Sequence, residues 1–342
     1  MANSDYRKLP AGIQSFSKIR EENYLYVDKT DIIWNLANNG KQYNYLSRPR
    51  RFGKSVLIDT LQCYFEGRKE LFEGLKIMQL EKEWKQYPVI RLDMSRGGAN
   101  AGTLHSYLNL RFAYYEDKYS IIPAPTAGLA DRFDAIITTA CRQTGLNVAI
   151  LIDEYDSPLQ HSWNTPEHDE CTEVYREVFA ILKADDEYQR FVFITGITKF
   201  TQISLFSVLN NLTNISFLPE YVAICGITEE EVKENFKPEL ENMAKANGWT
   251  LQQTHDNLKD YYDGYHFSRR NMTDIYNPFS LINALDTQDL NSYWASSGAT
   301  SMLSKFIKDV ELHLPNYENC MILRNTLETS DVTGGGPELF LY

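Results

Sequence analysis

The hydrophobic residues of this chain fall into short continuous runs, separated by longer stretches in which apolar residues recur every third or fourth position. Continuous runs of about four to eight residues are typical of strands buried on both faces, and the longer spacing is typical of helices. Strands are predicted at residues 24–27, 43–46, 87–94, 148–152, 191–194 and 221–225. Helices are predicted at residues 31–38, 55–66, 103–118, 129–143 and 171–183. Strands that alternate with helices predict an α/β fold with a mostly parallel, doubly wound sheet.

The pattern changes at about residue 227, where it becomes mainly helical and richer in tyrosine and asparagine. Thr228 is followed three residues later by Glu231, a capping-box spacing that predicts a helix running to Phe236. We therefore predict a first domain over residues 1–226 and a smaller, mainly helical domain over 227–325. The glycine-rich residues 326–342 are interpreted as a linker or as the truncated start of a further domain.

Composition narrows the class of protein. The chain has 342 residues, of which 43% are hydrophobic, and its apolar runs are far shorter than a membrane span. It starts without a basic segment followed by an apolar stretch, and its five cysteines are scattered. We therefore expect a cytoplasmic protein with reduced thiols and no membrane partner. The net charge of −12 argues against strong general binding of nucleic acid.

Residues 48–55 carry a candidate phosphate-binding loop. The segment lies between a predicted strand and a predicted helix and contains Gly53, Lys54 and Ser55. In such a loop the glycine lets backbone N–H groups turn toward a phosphate, the lysine reaches the β and γ phosphates, and the hydroxyl ligates Mg²⁺. The usual pattern also has a glycine where this chain has Arg48. A chance Gly-Lys-Ser triplet is the alternative, and the flanking strand and helix favour the loop.

Two acidic residues follow the most apolar predicted strand. Nucleoside triphosphatases with this loop hold Mg²⁺ through an acid at the end of such a strand, and a following glutamate polarises the attacking water. Asp153 and Glu154 occupy these positions. The alternative is that Asp153 caps the strand and that Glu154 and Asp156 are solvated loop charges. For Asp153 to meet Ser55 through the metal, the strand before the loop and the strand before Asp153 are expected to lie side by side.

Other polar residues near these strands have two readings each. Thr195 or Thr198, after the strand at 191–194, places a hydroxyl near the γ phosphate or merely ends a strand. The arginines at positions 48, 50 and 51 either contact phosphate or form ion pairs with the acidic surface. For Arg48 the ion pair is favoured, and for Arg51 the phosphate contact. The tyrosine-rich segment 261–267 is interpreted as an aromatic seam of the core.

The chain resembles the bacterial AAA-ATPase-like family, whose members commonly carry a C-terminal PD-(D/E)XK nuclease-like domain. The resemblance covers residues 8 to 305, and arginine at position 48 is usual in that family. The matching segments are YVDKT (26–30), RPRRFGKS (48–55), IDEYD (152–156), TGITKF (195–200), LNNLT (209–213), GITEEEV (226–232), YDGY (262–265), YNPFS (276–280) and YWA (293–295).

The resemblance implies a P-loop fold of the additional-strand, AAA-like type, with residues 227–325 as a lid for which a winged-helix-like fold is one option. It implies that Lys54 and Ser55 hold phosphate and Mg²⁺, that Asp153 is the Walker B metal ligand, and that Glu154 orients water. Thr195 or Thr198 would sense the γ phosphate. The implied nucleotide contacts are Arg50, Arg51, Phe52, Gly53, Lys54, Ser55 and Val56.

These implications give an ATP-binding and ATP-hydrolysing module that depends on Mg²⁺ and gates or powers a nuclease-like domain acting on nucleic acid. The nuclease-like domain itself is expected to lie beyond this chain. The alternative is a non-hydrolysing, nucleotide-dependent switch or scaffold, and a weaker third hypothesis is direct nucleic-acid binding through the helical domain. The sequence identifies no arginine finger, so completion of the site by a second copy of the chain stays open.

Overall fold

The structure is a computed structural model, and it describes residues 8–163, 165–197 and 211–293. Its central element in these ranges is a five-stranded sheet in which all neighbouring strands are parallel. The strands are β1 (Tyr43–Ser47), β2 (Val89–Asp93), β3 (Val148–Asp153), β4 (Gln189–Gly196) and β5 (Thr213–Asn214). The predicted α/β class with a parallel sheet is therefore confirmed.

The strand order corrects one expectation. The order is β2-β3-β4-β1-β5, so β4 lies between β1 and β3. The expectation that β1 and β3 lie side by side is wrong. Adjacency is not needed to bring Ser55 and Asp153 to one edge of the sheet, because β1, β4 and β3 are parallel and their carboxyl ends lie at the same edge. Leu46 of β1 is paired with Thr195 of β4, and Ile152 of β3 is paired with Ile194. The carboxyl end of β4 consequently stands between the loop that follows β1 and the acids that follow β3.

Helices cover both faces of the sheet. They are α1 (Phe16–Glu21), α2 (Thr30–Asn39), α3 (Lys54–Phe65), α4 (Ile77–Leu80), α5 (Ala101–Lys118), α6 (Leu129–Thr144), α7 (Ser157–Ser162) and α8 (His168–Ala184). Short 3₁₀ turns occur at Lys69–Phe72, Met94–Arg96, Asp186–Tyr188 and Pro219–Tyr221. Because side chains alternate along a strand, Ile150 and Ile152 pack with α5, α6 and α8, whereas Ala149 and Leu151 pack with α1, α2 and α3.

The C-terminal part is mainly helical and has its own apolar cluster. It consists of α9 (Glu229–Asn235), α10 (Lys237–Asn247), α11 (Leu251–Tyr262) and α12 (Pro278–Thr287), with the antiparallel strands β6 (Ile227–Thr228) and β7 (Ile275–Tyr276). The cluster includes Val232, Leu240, Met243 and Leu281. The predicted capping box is confirmed, since Glu231 N donates to Thr228 Oγ1 at 3.2 Å and Thr228 N donates to Glu231 Oε2 at 2.9 Å.

Two of the predicted strands are wrong. Residues 221–225 follow a 3₁₀ turn and pair with no strand among the described residues, and residues 24–27 contribute only an isolated bridge from Tyr24 to Lys8. Both segments are apolar because their side chains enter the core from irregular backbone. Residues 294–325 and the predicted linker at 326–342 lie outside the described residues. No helix in the described ranges is both long enough and apolar enough to span a bilayer.

Candidate nucleotide-binding site

The loop between β1 and α3 takes the backbone form that its glycine allows. Gly53 is the N-cap of α3 and has φ +87°, a left-handed conformation that side-chain-bearing residues rarely adopt. A Cβ on Gly53 would meet no atom within 4 Å, so the conformation rather than the space requires glycine here. Arg51 also has a positive φ, +67°. The loop thus contains two residues with a left-handed backbone conformation, Arg51 and Gly53, before the helix begins.

Lys54 opens α3 and is 5% exposed. Its ammonium donates to the backbone oxygens of Arg48 at 2.9 Å and Pro49 at 3.1 Å, so the side chain lies across the inside of its own loop. Burial lowers the pKa of Lys54, and the carboxylates of Asp156 and Glu154 oppose that shift. The ammonium therefore faces the acids at the end of β3, in the place predicted for a phosphate-binding lysine.

Arg48 does not point toward the surface. It is 1% exposed, and its guanidinium donates to the carbonyl oxygens of Ser47 at 2.9 Å, Ser216 at 2.8 Å and Tyr221 at 3.1 Å. The expectation that Arg48 pairs with the acidic surface is therefore wrong. Arg48, which stands in place of the usual first glycine, is instead buried beneath the loop and bound to three backbone carbonyl groups.

Phe52, at the crest of the loop, is completely buried. Its ring packs edge-on against Tyr265 and Phe267, with centroid distances of 4.7 and 5.6 Å. The side chain anchors the loop to the C-terminal part, so only the backbone of Phe52 is left to contact a ligand.

Arg50 and Arg51 are exposed beside the loop. Arg50 donates to Gln160 Oε1 at 3.5 Å, and the guanidinium carbon of Arg51 lies 4.6 Å from the centroid of the Phe279 ring. Both arginines, together with Ser55 and Val56 at the start of α3, line the cavity described below. The structure therefore brings the predicted nucleotide contacts together around one space.

Asp153 and Thr195 form a buried pair at the ends of β3 and β4. The Thr195 hydroxyl donates to Asp153 Oδ1 at 2.6 Å and accepts from Glu154 N at 3.4 Å. Thr195 is fully buried and Asp153 is 2% exposed. Thr195 therefore fixes the carboxylate predicted to hold the metal. Thr198, the other predicted sensor, lies outside the described residues.

Glu154 lies next to this pair in a conformation that is unusual for glutamate, with φ +49°. Burial raises the pKa of Glu154. The neighbouring Lys54 opposes this shift, and the carboxylates of Asp153, Asp156 and Asp93 add to it. Its side chain lines the same cavity as Lys54. A partly buried carboxyl group with a raised pKa, held by a strained backbone, is typical of functional sites.

Asp156 is a residue that the sequence reasoning misplaced. Predicted as one option to be a solvated charge, it is 1% exposed and accepts from Ile197 N at 2.9 Å and Gln160 Nε2 at 2.7 Å. Gly196 makes this approach possible, because a Cβ there would lie 2.6 Å from the Tyr155 ring and 2.8 Å from Asp156 Oδ1. No local signal reveals the bond, since the backbone donor, Ile197 N, lies just after β4 and 41 positions away in sequence.

A cavity of about 520 Å³ is bordered by the loop and by Glu154, a size within the usual range for small-ligand sites. Asp153, Asp156 and Thr195 are not part of its lining. The polar part of the lining includes Gly53, Lys54, Ser55 and Glu154. The apolar part comes from the N-terminal segment, α2 and the C-terminal part and includes Ile13, Tyr26, Ile33, Phe236, Phe279 and Ile282. A lining of this composition suits a ligand with an anionic tail and an apolar ring system.

An ion pair that the sequence did not predict involves Lys29, a residue of the cavity lining. Lys29 Nζ donates to Glu231 Oε1 at 2.6 Å and Oε2 at 2.5 Å, with the two side chains 8% and 19% exposed. Burial lowers the pKa of Lys29, and Glu231 opposes that shift. The pair connects the start of α2 to the first turn of α9 across 202 positions of sequence.

Comparisons with known proteins agree with this geometry. The sequence model of a family described as "Predicted AAA-ATPase" matches residues 10–206, more than half of the chain, and this range includes the loop, Asp153 and Thr195. A protein of Azotobacter chroococcum mcd 1, named "Uncharacterized protein in vnfD 5'region", is 33% identical over 333 residues. The match covers 96% of this chain and 62% of that protein. On these matches, the chain belongs to the predicted AAA-ATPase family.

Proposed function

We propose that this chain binds ATP with Mg²⁺ and hydrolyses it. One observation carries the proposal: Lys54 and Glu154 line a single cavity at the carboxyl ends of parallel strands, and Glu154 N donates to the Thr195 hydroxyl that holds Asp153. Ligands of α/β proteins bind at this edge of the sheet. Family membership supports the nucleotide as the ligand.

The roles of the residues follow from their chemistry. Lys54 binds phosphate oxygens, and the N–H groups at the start of α3 point toward the same anion. Ser55 and Asp153 offer an alcohol and a carboxylate, hard oxygen donors of the kind Mg²⁺ takes alongside phosphate oxygens and water. When bound, Mg²⁺ would neutralise charge on the transferring phosphoryl group. Glu154 orients the attacking water, and Thr195 holds Asp153 in position.

The position of β4 between β1 and β3 supports an additional-strand, AAA-like P-loop domain over residues 1–226. Residues 227–325 form the lid in this proposal, supported by Phe236, Phe279 and Ile282, which line the cavity from the C-terminal part. These apolar side chains take the base. A switch that binds ATP without hydrolysis is the second candidate, favoured by the inward turn of Arg48, which removes one cation from the phosphate end.

We propose further that the module regulates a nuclease-like domain acting on nucleic acid. The family resemblance supports this partner, and the Azotobacter relative is longer than the region matched here. A cytoplasmic location agrees with the scattered cysteines, of which Cys63, Cys141, Cys171 and Cys225 are unpaired thiols in the structure.

The test is calorimetric titration of the purified chain with ATP and with a non-hydrolysable analogue, with and without Mg²⁺, followed by phosphate release from the same samples. Lys54→Ala should abolish binding, because it removes the cation at the phosphate end. Lys41→Ala is the matched control, an exposed lysine just before β1, at the opposite end of that strand from the loop. Binding without phosphate release supports the switch, and equal binding by Lys54→Ala and the unmodified chain contradicts both candidates.

A further inference from the structure

One aromatic ring contacts two residues of the phosphate loop. The guanidinium carbon of Arg48, at the start of the loop, lies 3.8 Å from the centroid of the Phe267 ring. The ring of Phe52, at the crest, packs edge-on against the same residue at 5.6 Å. Phe267 is 5% exposed, so both contacts are shielded from water. A desolvated contact between a cation and an aromatic face is among the stronger interactions of a single ring.

Phe267 belongs to the C-terminal part, more than two hundred positions from the loop. It lies between α11 and β7, in a segment that is fixed at several points. Tyr265 pairs with Ile275 of β7, and the His266 ring lies 2.6 Å from Asp274 Oδ1. The segment holding Phe267 is therefore an ordered part of the C-terminal fold.

Arg48 is held from other directions as well. Its guanidinium donates to Ser216 and Tyr221, whose carbonyl oxygens hold it in the plane of the fork, while Phe267 covers one face. Arg48 also supplies one of the two backbone oxygens that accept hydrogen bonds from Lys54 Nζ. A displacement of Arg48 consequently moves the acceptor of the phosphate-binding lysine.

We propose that Phe267 is a positioning residue for nucleotide binding, which holds the phosphate loop in its binding form through Arg48 and Phe52. This inference rests on the proposed function. It makes the affinity for nucleotide depend on the packing of the C-terminal part. Because coupling between two sites is reciprocal, nucleotide in turn stabilises the segment around Phe267.

The experiment compares Phe267→Leu and Arg48→Lys with Tyr261→Leu. Tyr261 is a matched control, since its ring is 59% exposed on α11, outside the cluster that holds Phe52 and Phe267. Amide hydrogen exchange is measured first without nucleotide, for residues 48–55 and for α6 as an internal reference. We expect exchange of the loop to rise about tenfold in both test variants, with α6 unchanged, because the loss of a desolvated contact is local.

ATP affinity is measured on the same samples. Phe267→Leu and Arg48→Lys should each weaken binding about tenfold, and the double variant should be no weaker than the poorer single variant, because both act on one contact. Phe267→Tyr keeps the aromatic face, so exchange of the loop in this variant should equal that in the unmodified chain. Unchanged loop exchange in both test variants, or equal changes in Tyr261→Leu, overturns the inference. If the unmodified chain binds no nucleotide, the proposed function fails, while the exchange measurement still decides the inference.

Discussion

Substitution of Thr195 by valine tests the acid pair at the heart of the site. Valine keeps the shape of threonine but removes the hydroxyl that donates to Asp153 at 2.6 Å. Both residues are buried, so water cannot take the place of the lost donor. A hydrogen bond to a charged group contributes about 1.5–3 kcal/mol, and we expect the free energy of unfolding to fall by about 2 kcal/mol. At about 2–4 °C per kcal/mol for a domain of this size, the melting temperature should fall by roughly 6 °C.

The same change should affect catalysis in a way that simple destabilisation does not. Without Thr195 the Asp153 carboxylate is free to rotate, so phosphate release by Thr195→Val should require more Mg²⁺ to reach half its maximal rate. Thr195→Ser is the control, because it keeps the donor and should preserve the Mg²⁺ dependence. The assays are thermal unfolding and phosphate release over a Mg²⁺ series at a temperature where both variants are folded. A valine variant with the stability and the Mg²⁺ dependence of the unmodified chain would refute the role given to this bond.

Three further predictions concern neighbouring groups. Because burial raises the pKa of Glu154, the fold disfavours its carboxylate once the pH exceeds the ordinary value of about 4; Glu154→Gln should therefore raise the melting temperature near pH 8 but not near pH 4. Phosphate release by Glu154→Gln should fall about 10²-fold, and unchanged release would contradict the proposal that Glu154 orients the attacking water. Lys29→Met should cost about 1–3 kcal/mol in denaturant unfolding, because the half-buried Glu231 carboxylate loses its cation and keeps only the bond from Thr228 N, and adding Glu231→Gln should recover part of that loss; strictly additive losses would refute the coupling. Gly196→Ala should cost about 1–3 kcal/mol through the clash of its Cβ, whereas Gly102→Ala, in the first turn of α5, should stay within about 0.5 kcal/mol; equal stabilities would show that the fold relaxes around the added methyl group.

The regular part of the fold follows from local patterns. The runs at 43–46, 148–152 and 191–194 are strands that are buried on both faces, as a covered parallel sheet requires, and all but Asn44 in these runs are apolar or aromatic. A predicted helix start differs from the observed one where a side chain caps the helix. Helix α5 begins at Ala101, two residues before the predicted start, because the Asn100 side chain accepts from Thr103 N at 2.9 Å.

The failures share a physical cause, which is dependence on distant partners. Residues 221–225 have the apolar character of a strand, but no neighbouring strand offers them a ladder among the described residues. The hydrophobic pattern reports burial and not hydrogen bonding, so the two cannot be separated from sequence alone. The two-residue strands β5, β6 and β7 are too short to leave any periodic signal.

The residues of the candidate site also fall into those with a local sequence signal and those that depend on distant partners. Lys54, Asp153 and Glu154 can be proposed from the sequence because their chemistry and the strands before them are local features. The environments of Arg48 and Asp156 cannot, because the burial of a charge is decided by its acceptors or donors. For Arg48 these are carbonyl groups up to 173 positions away, and for Asp156 a backbone N–H 41 positions away.

Lys54 donates hydrogen bonds to the backbone oxygens of Arg48 and Pro49, so a ligand that binds the ammonium group has to replace these acceptors. The ammonium group is already satisfied by two neutral acceptors, and an incoming ligand gains only the difference between its own oxygens and those carbonyls. Hydrogen bonds to ionised acceptors are roughly twice as strong as those to neutral ones. In the proposed function, a terminal phosphate with a full negative charge would displace the carbonyl groups, whereas a neutral or weakly charged group would gain little over them. On that proposal the loop selects ligands by charge through its own internal hydrogen bonds.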